Sequence, residues 1–422
     1  MQKLKKIVRV FSPYATEDEK SVQVFYKSLT ENSNREITIS KLLELIQYNL
    51  ACMNLWGEYR YKGYQYLTKS NRANLYNNLK LIEIDFENFS KSNTDQLSPL
   101  NDTNYQTSTK LNSDSQQLVL LSKIMAYFSL TRGLYKYQES SSFGKLLQDP
   151  SKNQLIGDCN QIVTLYIYIY SRYFPVTDLK LRTLPNHIAL HYNGVDIEAT
   201  KGIFTDYSND ANNSILPIEE IVSINLLDVT DSYLKTKPIS PKELLQASRL
   251  AYLLSSNREI VANNLQATYS LIINDLIKLH SYDSALTFAN QSKNQKFLEL
   301  VGHNGAVYNM QKHNFTKARS FAKFSSNKQE LIKHTYQVEG KYYYEKGNYY
   351  ASIKAFSVIS DQKSINTCYE ALFIKEQSKL PKNLDSSNIK NYRKIIDNMN
   401  KYAKKSNNKT LLSNVSQYNK YL

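Results

Sequence analysis

The segment from His187 to Thr200 constrains the fold most strongly, because it predicts both a secondary structure and a register. Apolar and polar residues alternate from His187 to Tyr192 and again from Val195 to Thr200, and a period of two is typical of half-buried strands. Asn193-Gly194 separates the two runs and is the dipeptide that best fits a two-residue type I′ turn. The sequence therefore predicts a β-hairpin closed on this turn.

The turn also determines which residues of the two strands lie opposite each other. The predicted pairs are Tyr192 with Val195, His191 with Asp196, Ala189 with Glu198 and His187 with Thr200. The Cβ atoms of directly opposite residues lie about 5 Å apart, and those of diagonal residues about 7 to 8 Å apart. We therefore expect His191 to face Asp196, and His187 to reach Glu198 diagonally on the same face.

A cysteine precedes this hairpin at a position where a new element begins. Gly157-Asp158-Cys159 forms a predicted turn, and an apolar run from Ile162 to Tyr170 follows it. In nucleophilic catalysis by cysteine, the thiolate attacks, an imidazole takes and returns a proton, and a carboxylate orients the imidazole. Cys159 and His187 supply the first two groups, and either Glu198 or Asp196 supplies the third.

The same residues resemble the motifs of transglutaminase-like, papain-fold domains. Those motifs run as Gly-x-Cys at a helix start, His on a strand, and Asp followed by a small residue and Thr. Gly157-Asp158-Cys159 matches the first motif, His187 the second and Glu198-Ala199-Thr200 the third, with Glu where the family more often has Asp. The resemblance implies an α+β papain/transglutaminase-like fold in which Ile162 to Tyr170 is a buried central helix.

The resemblance also implies an activity, that of a thiol-dependent hydrolase or acyl transferase such as a peptidase, amidase or transglutaminase-like enzyme. Cys159 would be the nucleophile, His187 the general base, and Glu198 or Asp196 the orienting acid. Gln154 and Gln161 are candidates for the oxyanion donor. The family includes members that keep the fold without activity, so a catalytically inactive scaffold for protein interactions is the alternative.

Each candidate residue also has a structural interpretation. Free cysteines are most often buried small hydrophobic residues, and the β-branched and aromatic run after Cys159 also suits a strand. A metal site built from His187, His191, Asp196 and Glu198 is the sharper rival, because these side chains are common ligands. Two histidine Cα atoms four residues apart on a strand lie about 13 Å from each other, however. We therefore expect neither a metal nor another cofactor.

The net charge of +15 is concentrated in the second half of the chain. Residues 241–422 contain 27 Lys and Arg against 13 Asp and Glu, whereas the residues before them contain 26 against 25. A solvated lysine-rich face is the simplest explanation, and attraction of an acidic partner is the alternative. We do not expect nucleic acid to be that partner.

Glycine content, apolar runs and cysteine usage exclude several other classes. The chain has only 11 glycines and neither a GxGxxG nor a GxxxxGK[ST] motif, so a glycine-rich phosphate-binding fold is excluded. Its apolar runs fall far short of the roughly 20 residues that a membrane span requires, and its basic N-terminus lacks the apolar core of a secretory signal. The three cysteines, Cys52, Cys159 and Cys368, are widely spaced and odd in number. Free thiols in a reducing, cytoplasmic environment are therefore expected.

The order of patterns along the 422 residues predicts three regions. Residues 1–117 form a helical N-terminal extension with predicted helices over 17–29, 40–56 and 58–89, followed by a flexible Ser/Asn-rich linker at about 90–117. Residues 118–234 form the transglutaminase-like domain, which begins with a helix predicted over 118–137 and ends with a helix and an edge strand over 215–227. Two prolines between Lys235 and Pro241 mark the boundary to residues 241–422.

The last region contains a repeat. Aromatic residues at Tyr282, Phe315 and Tyr349 are separated by intervals of 33 and 34. Each precedes a pair of alanines: Ala285 and Ala289, Ala318 and Ala322, and Ala351 and Ala355. The pattern resembles tetratricopeptide (TPR) repeats, which implies an all-α TPR-like helical repeat domain that binds a protein or peptide. A plain helical bundle is the alternative. A transglutaminase-like domain followed by TPR repeats is an order found in bacterial proteins of that superfamily.

Overall fold

The structure, a computed structural model, describes residues 12–92, 115–139, 141–229, 237, 239–382 and 389–420. The chain divides into two compact units, residues 1–268 and 269–422. Most of the predicted linker, residues 93–114, lies outside the described residues, as do 230–236. Within the described ranges, no helix is both long and apolar enough to cross a membrane.

The first unit combines helices with a small sheet. Its helices are α1 Glu17–Ser28, α2 Arg35–Tyr61, α3 Lys69–Ser92, α4 Gln116–Phe128, α5 Phe143–Leu146, α6 Cys159–Tyr170, α7 Glu220–Leu227 and α8 Pro241–Leu254. Helix α9, Arg258–Lys278, contains the division between the units. Short 3₁₀ turns cover Leu130–Arg132 and Val176–Asp178.

Three predicted helices have different boundaries in the structure. The helix predicted over 58–89 begins only at Lys69, because α2 continues to Tyr61. Helix α2 begins at Arg35 rather than at Ser40, because the side chain of Asn34 accepts a hydrogen bond from the backbone N–H of Ile37 and caps the helix there. Helix α4 ends at Phe128, so the prediction of a helix continuing to Tyr137 was wrong. A 3₁₀ turn and Gly133, at φ 70°, turn the chain into a strand instead.

Strands form two sheets. Tyr135–Tyr137 (β1) and Leu155–Gly157 (β2) pair in parallel. The second sheet is antiparallel, with the order β6-β5-β4-β3-β7. Its strands are β3 Lys180–Leu184, β4 His187–Tyr192, β5 Val195–Glu198, β6 Ile203–Thr205 and β7 Ser214–Pro217. The predicted edge strand and helix after residue 214 are therefore confirmed as β7 and α7.

The predicted hairpin is confirmed as β4 and β5. Asn193 and Gly194 have φ of 46° and 84°, and two positive values are what a type I′ turn requires. The observed register begins as predicted, with Tyr192 opposite Val195 and His191 opposite Asp196, and it ends at Leu190 and Ile197. The predicted pairs of Ala189 with Glu198 and of His187 with Thr200 are not part of the observed ladder. On the other side of β5, Glu198 pairs with Ile203 of β6.

One hydrophobic core holds the elements of the first unit together. Helix α6 passes through this core, since every residue from Ile162 to Tyr170 is at most 6% exposed. The helical interpretation of this run is confirmed. Buried side chains from α1, α2, α3 and α4 belong to the same core, so the N-terminal helices pack together with the sheet-containing region.

Helix α8 also packs into the core of the first unit. Its Ala247, Leu250, Ala251 and Leu254 are at most 5% exposed and belong to that core. The guanidinium of Arg35 donates hydrogen bonds of 2.9 Å to the backbone oxygens of Leu253 and Leu254. The division between the units therefore falls later than the prolines at positions 238 and 241 indicate, because apolar packing rather than the proline positions decides where a unit ends.

All regular elements among the described residues of the second unit are helical. After α9 they are α10 Tyr282–Gln291, α11 Gln295–Gln311, α12 Phe315–Ala322, α13 Lys328–Glu345, α14 Tyr349–Val358, α15 Gln362–Gln377, α16 Arg393–Ser406 and α17 Lys409–Asn419, with a 3₁₀ turn at Ile389–Tyr392. Helices α10, α12 and α14 each begin at the aromatic residue that marks the sequence repeat. The repeat of helices at this period is therefore observed.

The alanine pattern holds in two of the three copies. Ala285, Ala289, Ala318 and Ala322 are fully buried. In the third copy Ser352 is fully buried while Ala351 is half-buried, and the Ser352 hydroxyl donates a 2.7 Å hydrogen bond to the backbone oxygen of Gly340. The inward position of this copy is therefore one residue later than the alanines predict, which restores the spacing of the other two.

Candidate functional site

Helix α6 places Cys159 at its first position. The carboxylate of Asp158 caps the helix by accepting hydrogen bonds from the backbone N–H groups of Asn160 and Gln161, at 3.0 and 3.2 Å. Cys159 is 9% exposed. Its thiol therefore lies at the positive end of a buried helix, where negative charge is favoured.

Asp158 and Asn160 connect the start of this helix to neighbouring segments. The second carboxylate oxygen of Asp158 accepts a 3.1 Å hydrogen bond from the backbone N–H of Ser141, while burial, with the nearby Asp228, raises the Asp158 pKa to about 6. The side-chain amide of Asn160 donates to Asp228 at 2.9 Å, and its oxygen lies 4.0 Å from Cys159 Sγ. Asn160 contacts the thiol, and sequence reasoning missed it because its role depends on Asp228, 68 residues later.

His187 connects the cysteine to a carboxylate. Its Nε2 lies 2.6 Å from Glu198 Oε2, so the predicted diagonal contact is confirmed. A hydrogen bond with Cys159 and the one with Glu198 raise the His187 pKa to about 10, against the opposing effect of partial burial. Since Nε2 is occupied by Glu198, Nδ1 is the ring nitrogen left for the thiol. His187 is therefore placed to interact with both the Cys159 thiol and the Glu198 carboxylate.

Both carboxylate oxygens of Glu198 accept hydrogen bonds. Its Oε1 accepts hydrogen bonds from the backbone N–H of Thr200, at 3.0 Å, and from the Thr200 hydroxyl. Its Oε2 accepts from the Tyr207 hydroxyl at 2.6 Å, in addition to contacting His187. Burial by itself raises the pKa of Glu198, but the hydrogen bonds from His187, Thr200 and Tyr207 outweigh burial and lower it to about 2. This glutamate therefore stays ionised at any pH near neutrality.

Asp196, the other candidate for orienting the imidazole, contacts different groups. Its Oδ1 lies 2.7 Å from His191 Nδ1 and 3.0 Å from Arg182 Nε, and its Oδ2 accepts a 2.8 Å hydrogen bond from the backbone N–H of Tyr207. Despite burial, these hydrogen bonds lower the Asp196 pKa. The structure thus brings Glu198, and not Asp196, to His187.

The remaining sequence candidates lie in other arrangements. The side-chain amide of Gln154 donates to the backbone oxygen of Gly133, and that of Gln161 donates to the backbone oxygen of Ser141, so each candidate oxyanion donor already has an acceptor. For the metal alternative, His187 and His191 pair with separate carboxylates. Among the residues that the structure describes, no group of three or more His, Cys, Asp or Glu side chains is arranged to hold a metal ion.

Sequence reasoning also missed Arg182 and Tyr207. Arg182 lies on β3, where it is 6% exposed and pairs with Asp196. Tyr207 follows β6 in a polar loop. Neither residue carries a local signal, because each acts on a strand that only the sheet brings near.

The other two cysteines have different surroundings. Burial raises the pKa of both Cys52 and Cys368, and both side chains are at most 6% exposed. Cys52 lies within α2 and Cys368 within α15, away from a helix start. They provide internal references for the reactivity of Cys159.

Comparisons with known proteins add little to this geometry. No protein-family profile matches the chain, and no curated protein matches it significantly. A crystal structure of menin, reported with its binding site for the Mixed Lineage Leukemia protein, is similar over 97% of this chain and 98% of that chain, at 10% sequence identity and a TM-score of 0.30. A likeness at this TM-score carries no argument about fold or function.

Proposed function

We propose that this chain is a thiol-dependent hydrolase or acyl transferase of the transglutaminase-like, papain-fold class. Cys159 is the nucleophile, His187 the general acid and base, and Glu198 the group that orients the imidazole. The observation that carries this proposal is the position of His187, which lies 2.6 Å from Glu198 and whose pKa is raised by its interaction with the Cys159 thiol, together with the place of that cysteine at a helix start. Thiolate and imidazolium stabilise each other in such an arrangement.

The chemistry follows from these positions. The Cys159 thiolate attacks the carbonyl carbon of an amide or ester, and the carbonyl electron pair moves onto the oxygen. When this tetrahedral intermediate collapses, the amine or alcohol leaves with a proton from His187 and a thioester remains on Cys159. Water or an acceptor amine then transfers a proton to His187 and attacks the thioester, which releases the thiolate. Hydrolysis and acyl transfer differ only in this last nucleophile.

The second unit is proposed to bind a protein or peptide through TPR-like repeats. Its support is the recurrence of helix pairs that begin at Tyr282, Phe315 and Tyr349. Helical repeats of this kind present extended surfaces to their partners. The excess of lysine and arginine in residues 241–422 favours an acidic partner.

The reactivity of the three cysteines tests the enzymatic proposal. Iodoacetamide at pH 6, followed by mass spectrometry of the modified peptides, should label Cys159 at least about tenfold faster than Cys52 and Cys368, because a helix start and an imidazolium favour the thiolate. His187→Ala should slow the labelling of Cys159. His303→Ala is the control, since it removes an exposed histidine of the second unit, and it should leave the labelling rate close to that of the parent.

The alternative is a scaffold with the same fold and no catalysis, which the low exposure of Cys159 favours. In that case all three cysteines should react slowly and at similar rates, and only at alkaline pH. That outcome, in a parent protein that melts cooperatively and is therefore folded, excludes the nucleophile assigned here.

A further inference from the structure

Tyr207 contacts the two carboxylates of the hairpin at the same time. Its hydroxyl donates to Glu198 Oε2 at 2.6 Å, and its backbone N–H donates to Asp196 Oδ2 at 2.8 Å. Its ring lies near that of His187, with centroids 6.5 Å apart at an interplanar angle of 77°. Burial and the neighbouring Glu198 raise the pKa of Tyr207, so its hydroxyl keeps the proton that it donates.

The carboxylate oxygen that accepts from Tyr207 is the one that His187 contacts. Oε2 of Glu198 lies 2.6 Å from His187 Nε2, while Oε1 is held by Thr200. When one carboxylate oxygen accepts two hydrogen bonds, its negative charge is shared between the two donors. The hydrogen bond from Tyr207 therefore weakens the one between Glu198 and His187. Because Thr200 fixes the rest of the carboxylate, the loss of the phenol hydrogen bond changes charge more than geometry.

The pair formed by His191 and Asp196 contacts the backbone of Tyr207. Asp196 is fixed by His191 and Arg182, and the Arg182 guanidinium also donates to the side-chain oxygen of Asn213 at 2.7 Å. Asp196 in turn accepts the Tyr207 N–H. The pair therefore holds the loop that carries the phenol, which explains a buried ionic cluster that the proposed chemistry does not use.

We infer that Tyr207 is a positioning residue of the site, whose hydroxyl sets how strongly Glu198 holds the imidazole of His187. Asp196, Arg182 and His191 act behind it by fixing its backbone. This inference rests on the proposed function. Among the described residues, other titratable groups also face the site or Tyr207, namely Asp158, Asp228, Tyr135, Tyr137, Tyr166, Arg182, His191, Asp196 and Asp210. They are the same in every variant compared below.

Tyr207→Phe removes the hydroxyl and keeps the ring. Glu198 then holds the imidazolium more strongly, which favours the protonated form of His187. The midpoint of the His187 titration should therefore move up by about 0.5 to 1 pH unit, as expected for the loss of one competing hydrogen bond. The measurement is the pH dependence of the His187 ring signal in NMR spectra of the full-length, 13C-histidine-labelled protein between about pH 7 and 12, with the signal assigned by its absence in His187→Ala.

Two further variants make the result specific. Tyr192→Phe is the matched control, because it removes a tyrosine hydroxyl of the same sheet that contacts Ser115, and it should leave the His187 titration unchanged. Site-specific 3-fluorotyrosine at position 207 has a more acidic hydroxyl and donates more strongly, so the midpoint should move down instead. This substitution also tests the inference if Tyr207→Phe fails to fold.

The outcomes separate the inference from the proposal beneath it. A reactive Cys159 together with the same His187 titration midpoint in the parent, Tyr207→Phe and fluorotyrosine proteins overturns the role of Tyr207 alone. A midpoint that moves down in Tyr207→Phe overturns it as well, since the phenol would then serve only to keep Glu198 and His187 in contact. If Cys159 in the parent reacts no faster than Cys52 and Cys368, the proposed function and the role of Tyr207 both fall.

Discussion

His187 couples the protonation of this site to the stability of the fold. Its pKa is raised from 6.5 to about 10 by hydrogen bonds with Cys159 and Glu198. A histidine with a raised pKa stabilises the folded state fully below its unfolded value, and this contribution disappears as the pH rises through the folded value. Glu198, with its pKa lowered to about 2, contributes above about 4.5 and loses its contribution only in strong acid. The pair therefore stabilises the fold across the neutral range.

Glu198→Gln should accordingly destabilise the protein most near neutral pH. A hydrogen bond between charged groups contributes about 1.5 to 3 kcal/mol, and the lower end is expected because the His187 side chain is 26% exposed. The difference in unfolding free energy from the parent should shrink above pH 10, where His187 is neutral in both proteins. Urea denaturation at pH 7 and pH 10.5 measures this difference. Asp210→Asn, which removes a charge from an exposed position, should show no such pH dependence, and an equal loss at both pH values for Glu198→Gln would contradict the prediction.

At the scale of elements, the turns of the second unit repeat as regularly as its helices. His280, His313 and Gly347 adopt φ of 55°, 58° and 71°, and each lies two residues before a helix that begins at an aromatic residue. The two histidines stack on tyrosines of the next long helix, His280 on Tyr308 at 4.6 Å and His313 on Tyr342 at 4.1 Å between ring centroids. The left-handed residue ends one helix, and its ring packs onto the following repeat.

Close helix packing in this unit depends on glycine. A Cβ atom on Gly302 of α11 would lie 2.8 Å from Phe324 Cβ and 2.9 Å from the backbone oxygen of Phe321. Gly302→Ala should therefore lower the unfolding free energy by about 1 to 2 kcal/mol, because overpacking costs about 1 to 3 kcal/mol and exceeds the helix-propensity gain of up to about 1 kcal/mol. Thermal denaturation followed by circular dichroism measures the effect. His303→Ala, at the exposed neighbouring position, should change stability by less than about 0.5 kcal/mol, and equal melting temperatures for both variants would refute the close approach.

At the scale of the whole molecule, packing divides the chain at residues 268 and 269. The sequence has prolines at positions 238 and 241, yet the apolar face of α8 is buried in the core of the first unit. Two of its residues, Leu250 and Leu254, are at most 5% exposed, and burying a leucine side chain contributes about 1.5 to 3 kcal/mol. The end of the first unit is thus set by side-chain burial.

Fragments of different length should distinguish the two boundaries. Residues 1–268 should melt cooperatively, whereas residues 1–240 should melt at a clearly lower temperature or lack a cooperative transition, because they lack α8 and the acceptors of Arg35. Circular dichroism melts and binding of a hydrophobic dye measure the difference. Residues 269–422 should give a helical spectrum with a cooperative melt. Equal stability of the two N-terminal fragments would place the boundary at the prolines.

The sequence alone determined those features that depend on a few neighbouring residues. Asn193-Gly194 determined the hairpin and the start of its register, and the spacing of Tyr282, Phe315 and Tyr349 the starts of three helices. The helix after Cys159 was expected from the family resemblance, since its β-branched and aromatic run also suited a strand. Turn chemistry and local periodicity act over short distances along the chain, so these features can be read without knowing what packs against them.

Only the tertiary structure decided which of two carboxylates contacts His187. Glu198 and Asp196 are alternate residues of one strand and share a face, so the sequence left both open. Arg182 from β3 and His191 from β4 hydrogen-bond to Asp196. Thr200 and Tyr207 hydrogen-bond to Glu198, the carboxylate that contacts His187. The membership of α8 in the first unit was decided in the same way, by partners distant in sequence. Long-range contacts have no local pattern, because they depend on which surfaces meet once the strands and helices are assembled.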